Sequence, residues 1–118
     1  MIKEVAFVAI AVSDFARARK FYEETLELKP ASQAEGVPWV EYEIGAVTLG
    51  VGQHPAWQPS RDGTTIAFEV DDIDAAIAQL QKRGVTFDME KTETPVCWMA
   101  QFRDPDGNKL LVHKRKTA

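Results

Sequence analysis

The chain has 118 residues, room for one compact domain, and its hydrophobic content of 45% can fill one core that dimerisation would help to stabilise. A formal charge of -4, with Lys114-Arg115-Lys116 as its one basic cluster, argues against the positive footprint that a nucleic-acid partner requires. Cys97 is the single cysteine, which excludes an intramolecular disulfide and a thiolate zinc site and favours a reducing, cytoplasmic setting.

In chain order, the first apolar run is Val5–Val12. It is too short to span a membrane, carries Glu4 at its front and leads straight into a capped helix, so it reads as a buried strand rather than a leader. Ser13 or Asp14 supplies the cap. Phe15, Ala18, Tyr22 and Leu26 then form one helical stripe, which Leu28-Lys29-Pro30 closes. Three shorter strands are expected at Ala31–Ala34, Trp39–Ile44 and Ala46–Val51, the last two joined through Gly45. Residues 53–63 are rich in Pro, Gly, Ser and charge and read as a linker. A strand at Thr65–Val70 follows, with Asp71 or Asp72 as the cap of a helix striped by Ile73, Ala76, Ile77 and Leu80 and ended by Gly84. The last strands are expected at Val85–Glu90, Cys97–Arg103 and Lys109–His113. Asp104-Pro105-Asp106-Gly107 turns between the final pair.

The same order of signals thus occurs twice. FVAIAVSDFARARKFY (7–22) set against TIAFEVDDIDAAIAQL (65–80) matches Ala9 with Ala67, Val12 with Val70, Asp14 with Asp72 and Ala18 with Ala76. Both halves read βαβββ. The expectation is an α+β fold and one domain over 1–118, with module one at 1–52, the linker at 53–63 and module two at 64–118.

A tandem βαβββ chain with VAIAVSDFARARKFYEETLEL (8–28), IAFEVDDIDAAIAQLQKRGV (66–85) and FRDPDGNKLLV (102–112) resembles the vicinal oxygen chelate superfamily. That group includes glyoxalase I, bleomycin-resistance proteins and extradiol dioxygenases. Glu27 departs from the pattern, since many members carry glycine between the two leucines. The resemblance implies a curved mixed sheet around a concave cavity, with helices on the convex side. It also implies a divalent metal held by an inward His or carboxylate on the first and last strand of each module. Those four positions are Phe7, Thr48, Thr65 and Leu111 here, which offer no serious ligand. No metal and no cofactor is therefore expected. Moving each strand by one residue brings in only further apolar residues and Thr64.

Strand parity sorts the side chains independently of the resemblance. Val8, Ile10 and Val12 should meet a helix, leaving Phe7, Ala9 and Ala11 on the other face. Thr48, Thr65, Glu69, Leu111 and His113 share that inward parity, as does Gln101 if Phe102 packs under the helices. Glu69 can hold a cation or act as a base, or simply lie solvated at the rim beside Lys or Arg. His113 is a candidate base or a surface histidine, and His54 is expected in solvent. Those two histidines with Glu69 form a further candidate, a displaced metal site. Cys97 is read as a core residue rather than a nucleophile. Trp39, Tyr42, Trp57 and Trp98 either fill the core or wall a pocket.

The function expected is metal-independent binding of a small, partly aromatic or amphipathic molecule by Phe7, Thr48, Thr65, Glu69, Gln101 and Leu111. The competing readings are enzymes: a glyoxalase-like lyase or dioxygenase with a displaced metal, or metal-free acid–base chemistry through Glu69 or His113. A structural or regulatory dimer plugged by Trp39, Tyr42 and Trp98 is the third. The partners expected are a small-molecule ligand and a second copy of the chain, with no nucleic acid and no membrane.

Overall fold

The computed structural model describes residues 1–33 and 35–116. Between Pro59 and Ser60 the chain divides into two compact units, each with the order βαβββ.

The first unit holds β1 (Val8–Ala11), α1 (Phe15–Lys20), β2 (Pro30–Gln33), β3 (Trp39–Ile44) and β4 (Val47–Gly52). The second holds β5 (Thr65–Glu69), α2 (Ile73–Lys82), β6 (Phe87–Glu93), β7 (Cys97–Arg103) and β8 (Lys109–Arg115). Each unit makes one four-stranded mixed sheet, ordered β1-β4-β3-β2 and β5-β8-β7-β6. The first strand pairs parallel to the last, and the remaining pairs are antiparallel.

Both helices begin where a carboxylate satisfies an orphan amide. Asp14 accepts from the Arg17 N–H and Asp72 from the Ala75 N–H, each at 3.0 Å. The helix then lies on one face of its own sheet. Under α1 the buried set is Ile10, Val12, Ala18, Tyr22, Val40, Tyr42, Leu49 and Val51. Under α2 it is Ile73, Leu80, Ala100, Phe102, Leu110 and Val112. These residues alternate along their strands, so their neighbours project from the opposite, open face.

Several boundaries differ from the sequence reading. The first strand begins at Val8 rather than Val5, and the second at Pro30 rather than Ala31; Ala34 lies outside the described residues. The strand expected at Val85–Glu90 is found at Phe87–Glu93, because Val85 still belongs to the helix exit, where its N–H donates to the Leu80 carbonyl. The first helix does not run evenly to Leu28. It widens into a π-helical turn over Phe21–Thr25, with the Leu26 N–H donating to the Phe21 carbonyl at 3.0 Å. Glu27 then ends it with φ 61°. Gly84 does the same for α2 at φ 92°.

Asp104 and Asn108 are buried at 5% and 7% exposure and are fully engaged. Asp104 Oδ1 accepts from the Asp106 and Asn108 amides, at 2.9 and 2.8 Å, and its Oδ2 accepts from Asn108 Nδ2 at 2.8 Å. Asn108 Oδ1 accepts from the Ser60 N–H at 3.2 Å, which ties the start of the second unit to the 104–108 turn.

Candidate functional site

Each sheet has an open face, and the two faces differ in chemistry. In the first unit the register sets Ala9 against Gly50 and Glu41, and Ala11 against Gly52 and Trp39. Gly50 and Gly52 lie two apart and share a face. The indole of Trp39 fills the space their side chains would take. A methyl group at Gly50 would overlap the ring, and one at Gly52 would come within 2.6 Å of its Cε3. The bare backbone is thus a bed on which one tryptophan lies.

Three further groups hold that ring. Its Nε1–H donates to Glu41 Oε2 at 3.0 Å. The Phe7 ring meets it edge-on at 5.3 Å between centroids, and Trp57 at 6.0 Å with planes 67° apart. Phe7 and Trp57 remain 47% and 45% exposed. His54 stacks at a tilt on Trp57 at 5.2 Å, while its Nδ1 accepts from the Ala56 N–H. A pocket of about 240 Å³ bounded in part by His54, Pro55, Trp57 and Pro59 adjoins this cluster. Thr48 lies on the same face, its hydroxyl donating to the Glu43 carboxylate at 2.8 Å.

The second open face is polar. Its rows run Glu69–His113–Met99, Ala67–Leu111–Gln101 and Thr65–Lys109–Arg103. Glu69 Oε1 lies 2.6 Å from His113 Nδ1, and Glu69 Oε2 accepts from the Arg115 N–H at 2.8 Å. The Arg115 amide, then the His113 ring, hold the Glu69 carboxyl below the usual glutamate range. Gln101 Nε2 donates to Asp88 at 3.1 Å, beside the Arg103–Asp88 ion pair at 2.7 Å. Thr65 stands at the opposite end of β5 from Glu69, about 13 Å away at the ordinary strand rise.

The predicted residues therefore fall into two sets. Phe7 and Thr48 share the first open face; Thr65, Glu69, Gln101, Leu111 and His113 share the second. Glu69 shares its face with Thr65 but not its surroundings, because both Glu69 oxygens are engaged, by His113 and the Arg115 amide, and Thr65 is a strand-length away. The plug of Trp39, Tyr42 and Trp98 is corrected. Tyr42 is fully buried on the helix side, where its hydroxyl donates to Glu23 at 2.9 Å. Trp98 alternates with the open-face residues of β7 and carries Lys116 Nζ 4.9 Å over its ring. Cys97 is buried, with Thr94 Oγ1 at 3.2 Å from its sulfur.

Sequence reasoning missed Glu41 as a member of the open face and left Trp39 between core and pocket wall, since the parity of that strand was ambiguous. The available signal was the Gly50-x-Gly52 spacing, which leaves one strand face without side chains.

The residues at the four family ligand positions do not fit a divalent ion. Phe7 and Leu111 have no donor atom, the Thr48 hydroxyl is committed to Glu43, and Thr65 supplies a neutral hydroxyl. No group of three or more His, Cys, Asp or Glu side chains suited to a metal occurs among the described residues. No helix among them is long and apolar enough to cross a membrane.

Against known proteins, the family model for the Glyoxalase/Bleomycin resistance protein/Dioxygenase superfamily matches residues 4–112. The uncharacterized protein YetH of Bacillus subtilis is 30% identical over 118 residues, covering 95% of this chain and 98% of the relative. TnmS3, an antibiotic-binding protein from Streptomyces sp. CB03234, is 28% identical with a TM-score of 0.79 over 98% of both chains. A superfamily member from Sphaerobacter thermophilus is 27% identical with a TM-score of 0.78, over 96% of this chain and 98% of that one.

Proposed function

Because the chain belongs to the Glyoxalase/Bleomycin resistance protein/Dioxygenase superfamily, we propose that it binds a small, flat, partly aromatic molecule without a metal ion. The carrying observation is the Trp39 ring, laid on Gly50 and Gly52 and flanked by two half-exposed aromatic rings. Such a shelf offers stacking area that costs little side-chain entropy, because its central ring is already immobilised. The antibiotic-binding character of TnmS3 supports the same reading.

Phe7 and Thr48 extend the shelf in the first module; Thr65, Gln101 and Leu111 offer a second, more polar ligand surface in module two. Glu41 and Glu43 bring two carboxylates to the shelf face, so neutral or cationic aromatics are preferred there over polyanions. Glu69, already paired, does not set that preference.

The test is calorimetric titration with acridine and, separately, with an anthracene disulfonate. Saturable binding of acridine, weakened at least tenfold by Trp39→Ala, is the expected result. Binding unaffected by that change, or tighter binding of the disulfonate, contradicts the proposal.

A further inference from the structure

We propose that Glu69 and His113 form a proton-accepting pair on the open face of the second module, able to ionise an acidic hydroxyl such as a phenol. The inference stands on that module alone and does not depend on the Trp39 shelf.

The pair is built by strand register rather than by chance proximity of surface side chains. Glu69 and His113 are opposed residues of the parallel β5–β8 pair, and both project from the open face. Their 2.6 Å contact links Glu69 Oε1 to His113 Nδ1. An ionised carboxylate accepts and cannot donate, so the shared proton resides on Nδ1. The second carboxylate oxygen is anchored by the Arg115 backbone N–H at 2.8 Å, which prevents Glu69 from rotating away. In the neutral imidazole that leaves His113 Nε2 as the acceptor nitrogen, with no protein hydrogen-bond partner among the described residues. A carboxylate fixing one ring nitrogen so that the other accepts a proton is the arrangement of an oriented general base.

The groups facing His113 are few. On its own strand Leu111 lies on one side and Arg115 on the other; β7 presents Met99 directly opposite and Cys97 across from Arg115. The Arg115 guanidinium lies 3.9 Å from Glu69 Oε1 and shares the carboxylate with the imidazole. The side chain of His113 is 24% exposed, enough for a ligand oxygen to approach while its ring stays held. In the transfer, the hydroxyl O–H bond breaks and its proton moves to Nε2. The products are a phenolate and an imidazolium whose Nδ1–H still donates to Glu69. No metal, oxidant or further reactant is needed. Glu69 acts as a positioning residue, and His113 is the group that takes the proton.

The experiment adds 4-nitrophenol, whose phenolate absorbs in the visible, to the full chain at a pH where the free probe is mostly protonated. Nitrogen-15 spectra of the histidines are recorded before and after. The expected result is a free protein with His113 protonated on Nδ1, and a bound probe whose phenolate-to-phenol ratio is raised about tenfold, one unit of its ionisation. Glu69→Gln should remove most of that rise while the probe still binds, and His113→Gln should abolish it. Both side chains are partly exposed, and circular dichroism establishes that each variant is folded. The inference is overturned by absence of binding, by binding with unchanged ionisation, or by a shift that survives His113→Gln. Nε2-protonated His113 in the free protein also overturns it, and that reading is made on the unaltered chain.

Discussion

At Glu27 the backbone adopts φ 61°, the left-handed region in which a Cβ crowds the carbonyl and costs about 1–2 kcal/mol. The strain persists because the exit of the π-helical turn requires it: the Leu28 N–H donates to the Tyr22 carbonyl at 3.0 Å across this residue. Glu27→Gly should therefore stabilise the protein by about 0.5–1 kcal/mol, the relief being partly offset by a more flexible unfolded chain. Urea denaturation measures it; an unchanged or lower midpoint would show that the strain is repaid by contacts of the Glu27 side chain. Gly50 is the opposite case, a glycine required by a neighbour rather than by its own dihedral angle. Gly50→Ala inserts a methyl into the Trp39 ring, so it should displace the indole and cost about 1–3 kcal/mol of stability. Acridine affinity should fall with it. Retained affinity would mean that Trp39 is not the stacking surface.

The elements are joined by polar ties at defined places. In the first unit, Arg19 on α1 grips Glu23 through Nε at 2.6 Å and Nη2 at 3.1 Å, and reaches Gln33 of β2. Glu23 accepts in turn from the buried Tyr42 hydroxyl of β3. Burial of Glu23 works against its charge, but the hydrogen bonds from Arg19 and Tyr42 outweigh it and hold the carboxyl below the usual range. Burial, then Glu23, raises the Tyr42 phenol. Tyr42→Phe leaves Glu23 one donor short and should cost about 1–2 kcal/mol near neutral pH. A depressed native carboxyl contributes stability that is complete above its unfolded value, near 4.5, and is lost as pH falls through the native one. The gap between wild type and Tyr42→Phe should accordingly narrow as the pH of urea denaturation is lowered through that window. A gap that stays constant would place the phenol's contribution elsewhere.

For the whole molecule, two predictions concern what accompanies the chain. The four family ligand positions lack usable donors, so purified protein should contain far less than one divalent metal per chain by elemental analysis. About one tightly held Ni, Zn, Fe or Mn per chain would overturn metal independence. We also propose that the protein is a homodimer. Each sheet ends in two edge strands, β1 and β2 in one and β5 and β6 in the other, and unprotected edges invite pairing. Light scattering should return twice the mass of the chain; a monomer at high micromolar concentration contradicts it.

The doubled βαβββ order was legible in the sequence because it rests on local chemistry. Asp14 and Asp72 cap, Gly84 and Gly107 supply positive φ, and apolar residues alternate along the strands whatever surrounds them. The same parity separated Val8, Ile10 and Val12 from Phe7 and Ala9, and Leu110 and Val112 from Leu111 and His113. Partner identity was another matter. A side chain's face follows from its own strand, but its neighbours follow from register between strands far apart in sequence. Glu69 and His113 are 44 residues apart, and only the pairing of β5 with β8 makes them a bonded couple instead of two isolated polar groups. Trp39 likewise needed β3 in register with β4 before Gly50 and Gly52 could become its bed. The sequence by itself determined the elements, their repetition and which residue types stand at the four family ligand positions, all of which depend on residue type and spacing. Tertiary structure alone decided which polar groups neutralise each other and which ring lies open, because those outcomes depend on distances that only the folded sheets create.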